Sequence, residues 1–264
     1  MTIMTGANIR LGAILAEAEK QQSFLSAAKL EASGLIPETI ETGMAAQAIS
    51  AAAIGKEIGG WKVSFSGGHA VAAPLIDVYD SRTGTVLAVP KKGAVGVEVE
   101  ICFVLAGDIP APVEGQAYGR DDILAQIASV HLGAELVSYR LIEENNAPFP
   151  LFLADRLGNH SFVLGPEIDR SLIERVLHED QTLPALLLEA DGQVLLDAPA
   201  KHPQGDAVAS LLAYANRPND HLGGLKRGQV VTTGSLCGLI RLSGQATINA
   251  TWGEIAALHL SLPY

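Results

Sequence analysis

The sequence is poor in cysteine, and the cysteines it has form no motif. Its 264 residues include two, Cys102 and Cys237, which lie far apart inside apolar runs. Neither a CxxC pair nor a Cys/His spacing typical of zinc sites is present. We therefore predict two buried free thiols.

Long apolar runs are also missing. The N-terminal stretch MTIMTGANIRLGAILAEAEK lacks the apolar core of a signal peptide, and no run approaches the roughly 18 apolar residues of a membrane span. A cytoplasmic location with no membrane partner is the default expectation.

Positive charge is in short supply as well. The chain has 18 Lys and Arg against 29 Asp and Glu, a formal net charge of -11, and the basic residues never cluster. Nucleic acids and anionic lipids, which need a basic patch, are therefore not expected as partners. A small anionic substrate would be repelled by the overall field. Its binding would need a local cation, which favours a metal site.

The residues that are abundant predict a globular protein. Hydrophobic residues make up 48% of the chain and charged residues 18%, which is typical of one large domain or a small segment plus one domain. Residues 8–32 and 37–58 carry apolar side chains at helical spacing. The second stretch is rich in small residues, which predicts close packing on another element or subunit.

From residue 59 the pattern changes to short runs rich in Val, Ile and Leu, separated by Gly, Pro and Asp, as expected of strands. Helical spacing interrupts these runs at 120–132 and 204–216. We therefore predict an α+β fold with a helical N-terminal segment, 1–60, followed by a curled mixed sheet over 61–264.

The run VGVEVEICFVLAGD, residues 95–108, raises the main question about function. In a strand, Glu98, Glu100, Cys102 and Val104 share one face because side chains alternate. One interpretation is an amphipathic strand with both carboxylates in water. The other is a partly buried pair whose repulsion and desolvation a hard dication such as Mg²⁺ or Mn²⁺ relieves. Glu135, at the start of the next apolar run, is the candidate third carboxylate.

Five motifs that occur in order resemble one protein family, and the similarity runs from about residue 45 to the C-terminus. It is the 2-keto-4-pentenoate hydratase and 4-oxalocrotonate decarboxylase family, a branch of the fumarylacetoacetase-like fold. The motifs are GWKVS (60–64), VEVEICFVLAGD (97–108), GAELVSYRL (133–141), LADRLGNHSFVLG (153–165), and HPQGDAVASLLAYANRP with LKRGQVVTTGSLCGLIRLSGQ (within 202–245).

The resemblance implies a mixed β-roll and a lyase that depends on Mg²⁺ or Mn²⁺. Its substrates would be 2-oxo or 2-hydroxy unsaturated acids from aromatic ring cleavage. Glu98, Glu100 and Glu135 would bind the metal. Lys62 would handle protons or stabilise charge, and we expect a nearby cation and partial burial to lower its pKa. Together with the small-residue helices, the family also favours a homo-oligomer.

Four more residues in these motifs are candidates for the site. Asp155 is a second candidate catalytic residue that could orient a substrate loop or hold a water, with a turn or cap aspartate as the alternative. Ser235 lies in a Gly-flanked turn whose N–H groups could bind a substrate carboxylate, and an ordinary hairpin turn is the alternative. His160 and Arg140 are the candidate substrate-binding residues nearby.

The chain departs from the family pattern, which leaves the reaction open. Leu75 follows a proline at a position where hydratases of the family commonly carry an aspartate, and Asp77 lies two positions off register. Other replaced positions are Ser64, Ser138 and Arg156, in place of glycine, aspartate and asparagine.

We place first the hydration of a 2-hydroxy-2,4-dienoate or 2-oxo-alkenoate to a 4-hydroxy-2-oxo acid. Decarboxylation of a 2-oxo-3-enedioate, the 4-oxalocrotonate type, is second, because the missing acid would weaken proton delivery. Acylpyruvate C–C hydrolysis is third. Such hydrolases use a His/Glu pair from the N-terminal region, and no histidine occurs here before His69. A binding protein with a degenerate site is disfavoured, because all three candidate ligands and the lysine are present.

Overall fold

The computed structural model describes residues 5–66, 68–83, 87–89, 94–177, 183–217, 223–244 and 247–263. Within these ranges the chain forms a group of N-terminal helices followed by two β-sheets, with short helices in the connections. This is the α+β arrangement that the sequence pattern predicts.

Local sequence explains where the two long helices begin and end. Thr5 caps the helix Gly6–Gln21 by accepting a hydrogen bond from the Asn8 N–H. Thr39 and Thr42 form a capping box at the start of the helix Ile40–Ile54, and Gly55 ends that helix in a left-handed conformation. No helix in the described ranges is long and apolar enough to span a bilayer. The helices are α1 Gly6–Gln21, α2 Ala27–Ala32, α3 Ile40–Ile54, α4 Arg120–Ala125, α5 Phe149–Ala154, α6 Leu172–Leu177 and α7 Ala209–Ala215.

The larger sheet holds the candidate site. Its strands are β1 Gly60–Ser66, β2 His69–Leu75, β3 Val78–Asp80, β5 Gly96–Leu105, β6 Ile127–Val137, β7 Asn159–Ile168, β10 Val230–Ser235 and β11 Ile240–Arg241. The order is β2-β1-β10-β5-β6-β7-β3, and β11 pairs with one end of β5. The β1/β10 and β3/β7 pairs are parallel and the rest are antiparallel, so this sheet is mixed as predicted.

The smaller sheet has the order β4-β13-β12-β8-β9. Its strands are β4 Leu87–Ala88, β8 Ala185–Ala190, β9 Gln193–Pro199, β12 Thr247–Trp252 and β13 Ala256–Ser261. Side chains from both sheets, among them Phe103, Leu132, Trp252 and Leu258, belong to one buried cluster. The core therefore joins the two sheets.

Both faces of the larger sheet are buried around β5. Val97, Val99, Ile101 and Phe103 point into the main core. Cys102, on the opposite face, packs in a second cluster with the buried side chains Leu75, Phe162, Leu164 and Val230. The second face of β5 is therefore not a solvated surface.

Three sequence predictions about elements need correction. The predicted helix 8–32 is interrupted, because Gln22 takes a left-handed conformation and Leu25 bridges to Leu141. The predicted helix 120–132 ends at Ala125, and its remainder is the start of β6, where pairing with β5 outweighs helical spacing. The helix predicted at 204–216 is limited to α7. Within the run 85–90, predicted as a strand, Leu87–Ala88 forms a short strand, and residues 85, 86 and 90 lie outside the described residues.

Small residues allow the N-terminal helices to pack closely, as the composition of the second predicted helix indicates. A Cβ atom added to Gly12 in α1 would lie 2.6 Å from the Ala46 carbonyl oxygen and 2.6 Å from Ile49 Cβ, both in α3. A Cβ on Gly43 in α3 would meet the Pro150 backbone at the start of α5. The three helices therefore form one tightly packed unit.

This packing predicts that Gly12→Ala destabilises the protein, although alanine is the better helix former. We expect a loss of about 1–3 kcal/mol in the free energy of unfolding, because the methyl group meets backbone and a β-carbon that must move. Urea denaturation followed by circular dichroism measures the change. Gly6→Ala is the matched control, because nothing lies within 4 Å of that position. A Gly12→Ala variant as stable as the wild type would contradict this account of the interface.

Candidate metal centre

Three carboxylates converge on one face of the larger sheet. Glu98 on β5 is paired directly with Glu135 on β6, and Glu100 lies two residues further along β5 on the same face. One oxygen from each side chain can be chosen so that all three lie within 4.8 Å of one another. Adjacent strands place three acids close together without any contribution from a flexible loop.

Most of this cluster is buried. Glu100 is 1% exposed and Glu135 is fully buried, whereas the Glu98 side chain is 17% exposed. Burial, and then repulsion by Glu135, raises the pKa of Glu100 well above its ordinary value, although Lys62 opposes the shift. Burial also raises the pKa of Glu135, against the opposing charge of Lys62. The interpretation of the Glu98/Glu100 strand as a solvated face is therefore wrong.

Lys62 reaches the same cluster from β1. Its Nζ lies 2.7 Å from Glu135 Oε2 and 3.2 Å from Glu98 Oε2. Burial would lower the pKa of this ammonium, but Glu135, Glu98 and Glu100 together outweigh it and raise the pKa above its ordinary value. The predicted lowering of this pKa depends on a bound cation that offsets these carboxylates, and it stays a prediction.

Strand β10 also contacts Glu100. The Thr232 hydroxyl donates to Glu100 Oε2, and the Gly234 N–H faces the same carboxylate and opposes the rise of its pKa. The β10 strand is irregular between Thr232 and Ser235, where Gly234 has a φ of 143°, a value that favours glycine. Thr232 was not predicted from sequence, because only the β5/β10 register brings it beside Glu100.

The donor set fits a hard divalent cation. In the described part of the chain nothing donates to the buried oxygen Glu100 Oε1, and buried acceptors without partners are rare. Carboxylate oxygens are the ligands that Mg²⁺ and Mn²⁺ prefer. A cation at this point would relieve both the repulsion between the acids and the unpaired oxygen.

The cluster opens into a cavity of about 560 Å³. Lys62, Glu98 and Glu100 lie in its wall, and Lys201 is the other cationic side chain among the lining residues. The remaining described lining is apolar or uncharged: Val63, Ser64, Leu196, Ala198, Pro199, Pro203, Gln204, Gly234, Ser235, Leu236, Cys237 and Gly238. The cavity has the size of a small-molecule site.

Ser235 lies in this wall, at the end of β10 and the start of the turn that follows it. Its hydroxyl donates to the Gly238 carbonyl at 3.2 Å and accepts from the Cys237 N–H at 3.3 Å. The Leu236 N–H donates to the Val99 carbonyl at 2.7 Å. The N–H groups of Leu236 and Cys237 and the hydroxyl proton of Ser235 are therefore already engaged within the protein.

Asp155, Arg140 and His160 do not line this cavity. Asp155 is buried, and its carboxylate accepts from both the backbone N–H and the Nε of Arg140, so each neutralises the other. Arg140 and His160 instead line a smaller cavity of about 100 Å³ beside α1, together with Glu19 and Asp77. The structure therefore does not bring these three predicted site residues to the carboxylate cluster.

Asn159 supplies the connection that the sequence interpretation missed. Its side-chain amide donates to Glu135 Oε1 at 3.0 Å, and its backbone carbonyl accepts from Arg140 Nη1 at 2.9 Å. Arg140 and Asp155 thus contact the cluster indirectly through Asn159. The sequence analysis selected His160 from this motif as a candidate substrate-binding residue. The register shift between β6 and β7 instead places the Asn159 side chain against Glu135.

The residues that depart from the family pattern lie in several different surroundings. Leu75 is buried in the cluster around Cys102. Asp77 pairs with Lys56 at 2.9 Å, with the lysine half-exposed, and so supplies no acid to the large cavity. Ser64 lines the cavity, Ser138 lines the smaller cavity, and Arg156 is fully buried.

Comparison with known proteins shows the fold. No protein-family model matches the chain and no curated protein matches it. The chain is similar in structure to 4-oxalocrotonate decarboxylase from Pseudomonas putida G7, in a form complexed with magnesium and adipate, with 18% identity, 99% of each chain covered and a TM-score of 0.74. The form complexed with calcium and acetate gives 17% identity, 99% coverage of each chain and a TM-score of 0.71.

A candidate HpcE protein from Mycobacterium smegmatis is a more distant match, with 18% identity, 77% of this chain and 73% of that chain covered, and a TM-score of 0.51. The structural similarity to the decarboxylase therefore covers nearly the whole chain, including its N-terminal helices. The fold expected from the sequence motifs is confirmed: the chain has the fumarylacetoacetase-like α+β fold and shares it over nearly its full length with 4-oxalocrotonate decarboxylase.

Proposed function

We propose that this protein is a divalent-metal-dependent lyase that acts on a 2-oxo unsaturated acid. Glu98, Glu100 and Glu135 would hold Mg²⁺ or Mn²⁺. The observation that carries the proposal is the buried three-carboxylate cluster, with one unpaired oxygen, in the wall of a ligand-sized cavity. The similar decarboxylase structure, complexed with magnesium and adipate, supports the same choice of ion and ligand class.

When bound, the dication would supply Lewis-acid polarisation to the 2-oxo group and carboxylate of the substrate. The chain's own residues do the rest. Lys62 lies in the cavity wall beside Glu98 and Glu135, where its ammonium would present positive charge to substrate oxygens.

Decarboxylation is the reaction that the cavity supports best. In a 2-oxo-3-enedioate the bond to the distal carboxyl carbon breaks, carbon dioxide leaves, and the electron pair moves through the conjugated chain to the 2-oxygen, which takes a proton. No carbon atom has to be protonated. Hydration needs a proton delivered to carbon as well as a base for water. The resemblance implies an aspartate for proton delivery at the position where this chain has Leu75, and Leu75 is buried in the cluster around Cys102.

The lining of the cavity also offers a cation for a second carboxylate. Lys201 is an exposed lining residue, and within the described chain its ammonium has no hydrogen bond or ion pair. Its backbone is fixed by a hydrogen bond of 3.0 Å from its N–H to the Leu236 carbonyl. Leu196 and Ala198, in the same lining, are apolar. A dicarboxylate could thus be oriented by Lys201 while apolar surroundings favour loss of charge from the leaving group.

Hydration remains the second candidate, because Ser64, Ser235 and Gln204 give the cavity polar groups that could hold a water. Acylpyruvate hydrolysis is not proposed. No histidine occurs among the described lining residues of the cavity that could activate water.

The metal site predicts saturable uptake of Mn²⁺ or Mg²⁺ by the purified protein. Glu100→Gln should weaken binding by about 100-fold or more, because a neutral amide replaces a buried anionic ligand. Isothermal titration calorimetry with MnCl₂ measures both. Glu167→Gln, an exposed position on β7, is the control and should bind like the wild type. Absence of uptake by the wild type, or an unchanged Glu100→Gln variant, would refute the site.

The reaction is tested with a small substrate panel in the presence of Mg²⁺. We expect a 2-oxo-3-enedioate to be consumed with release of one carbon dioxide for each molecule, and excess chelator to stop the reaction. Absorbance loss and carbon dioxide are followed together. Consumption of a 2-hydroxy-2,4-dienoate without carbon dioxide would establish hydration instead. Free pyruvate from an acylpyruvate would point to hydrolysis.

Lys201→Met is expected to raise KM for the dicarboxylate by about tenfold without lowering kcat, because the lost ion pair holds the distal carboxylate in the ground state and weakens as its negative charge passes to the 2-oxygen. Steady-state kinetics measures the two constants. Lys29→Met, at an exposed lysine of α2, serves as the matched control. An unchanged KM in the Lys201 variant would show that the distal carboxylate binds elsewhere.

A further inference from the structure

We infer that Glu19, on the N-terminal helix α1, is a positioning residue for the metal ligand Glu135, and the inference rests on the proposed metal site. Glu19 is remote from the large cavity and touches neither Glu98 nor Glu100 in the described contacts. It acts through two buried arginines and Asn159. The N-terminal segment would thus set the affinity for the cation as well as the stability of the fold.

The first step joins α1 to the arginines. Glu19 forms an ion pair with Arg156 Nη2 and lies 3.8 Å from Arg140 Nη1. Arg156 is 2% exposed and Arg140 is 4% exposed. Burial opposes ionisation of Glu19, but the two guanidinium groups outweigh it and lower its pKa. Two adjacent buried cations need this anion, since Asp155 alone leaves one positive charge without a counterpart.

The second step joins the arginines to the cluster. Arg140 Nη1 donates to the Asn159 carbonyl at 2.9 Å, and Arg156 Nη2 does so at 3.4 Å. The Asn159 amide donates to Glu135 Oε1 at 3.0 Å. Both guanidinium groups therefore fix the residue that orients Glu135, in the way that hydrogen-bond partners behind metal ligands orient them.

The backbone before Asn159 shows why a tether is required. Arg156 has a φ of 53° and Leu157 a φ of 52°, followed by Gly158 at 73°. Two successive non-glycine residues in the left-handed region are strained, and such strain persists only when surrounding contacts hold it. The ion pair from α1 to Arg156 is such a contact. Its loss would allow the segment to relax and Asn159 to move.

Calorimetric titration of the full-length protein with MnCl₂ tests this. Glu19→Gln should weaken Mn²⁺ binding by about tenfold. Glu17→Gln, two residues away on the exposed side of the same helix, should bind within twofold of the wild type. A Glu19→Gln variant with unchanged affinity would overturn the inference.

A second control separates positioning from loss of stability. Gly12→Ala loosens the packing of α1 on α3 without touching Glu19, so we expect a lower unfolding midpoint but Mn²⁺ affinity within twofold of the wild type. If Gly12→Ala weakens binding as much as Glu19→Gln, the role of Glu19 is merely structural and the inference fails. Failure of the wild type to bind Mn²⁺ at all would instead refute the proposed function.

A double-mutant cycle tests the route. Asn159→Ala alone should weaken Mn²⁺ binding by about 10–100-fold. In that background Glu19→Gln should have no further effect, because the connection to Glu135 is already lost. Additive effects would overturn the proposed route. Should Glu19→Gln not fold, Glu19→Asp retains the charge with a shorter side chain. It should weaken binding about threefold, and no change would count against the inference.

Discussion

The burial of three carboxylates beside one ammonium is the constraint that the rest of the site satisfies. Glu98, Glu100 and Glu135 against Lys62 leave two negative charges in a region largely closed to water. Burial and mutual repulsion already raise the pKa of Glu100 and Glu135. A divalent cation would balance the excess charge. A cluster of this kind is costly for folding alone, so its presence indicates a use for it.

Rigid strands make this concentration of charge possible. The β5/β6 pairing sets Glu98 opposite Glu135, and the β10 bulge turns Gly234 toward Glu100. The opposite face of β5 and the continuation of the acidic face beyond Glu100 are both packed in apolar clusters. The strand therefore cannot rotate to bring the carboxylates into water. Packing on two sides maintains the geometry that a metal would otherwise have to induce.

Part of this could be predicted from the sequence. Alternation places Glu98 and Glu100 on one face of a strand, and the family motifs point to Glu135 and Lys62. The contributions of Thr232 and Asn159 could not be predicted, because they depend on strand register and irregularities between segments distant in sequence. The same long-range pairing extends β6 into the predicted helix 120–132. The direct contacts of Lys62 with Glu98 and Glu135, both within 3.2 Å, likewise depend on how β1, β5 and β6 lie together in the sheet and could not be predicted from the sequence.

The same electrostatics limits the chemistry of the cavity. The Lys62 ammonium is held 2.7 Å from Glu135 and 3.2 Å from Glu98, a position from which it can stabilise charge beside the cluster. Asp77, the nearest replacement for the family's aspartate, is held by Lys56 outside the cavity. A reaction that leaves its electrons on a substrate oxygen needs less from these residues than one that must protonate carbon. The scarcity of proton donors, more than any one residue, therefore favours decarboxylation over hydration.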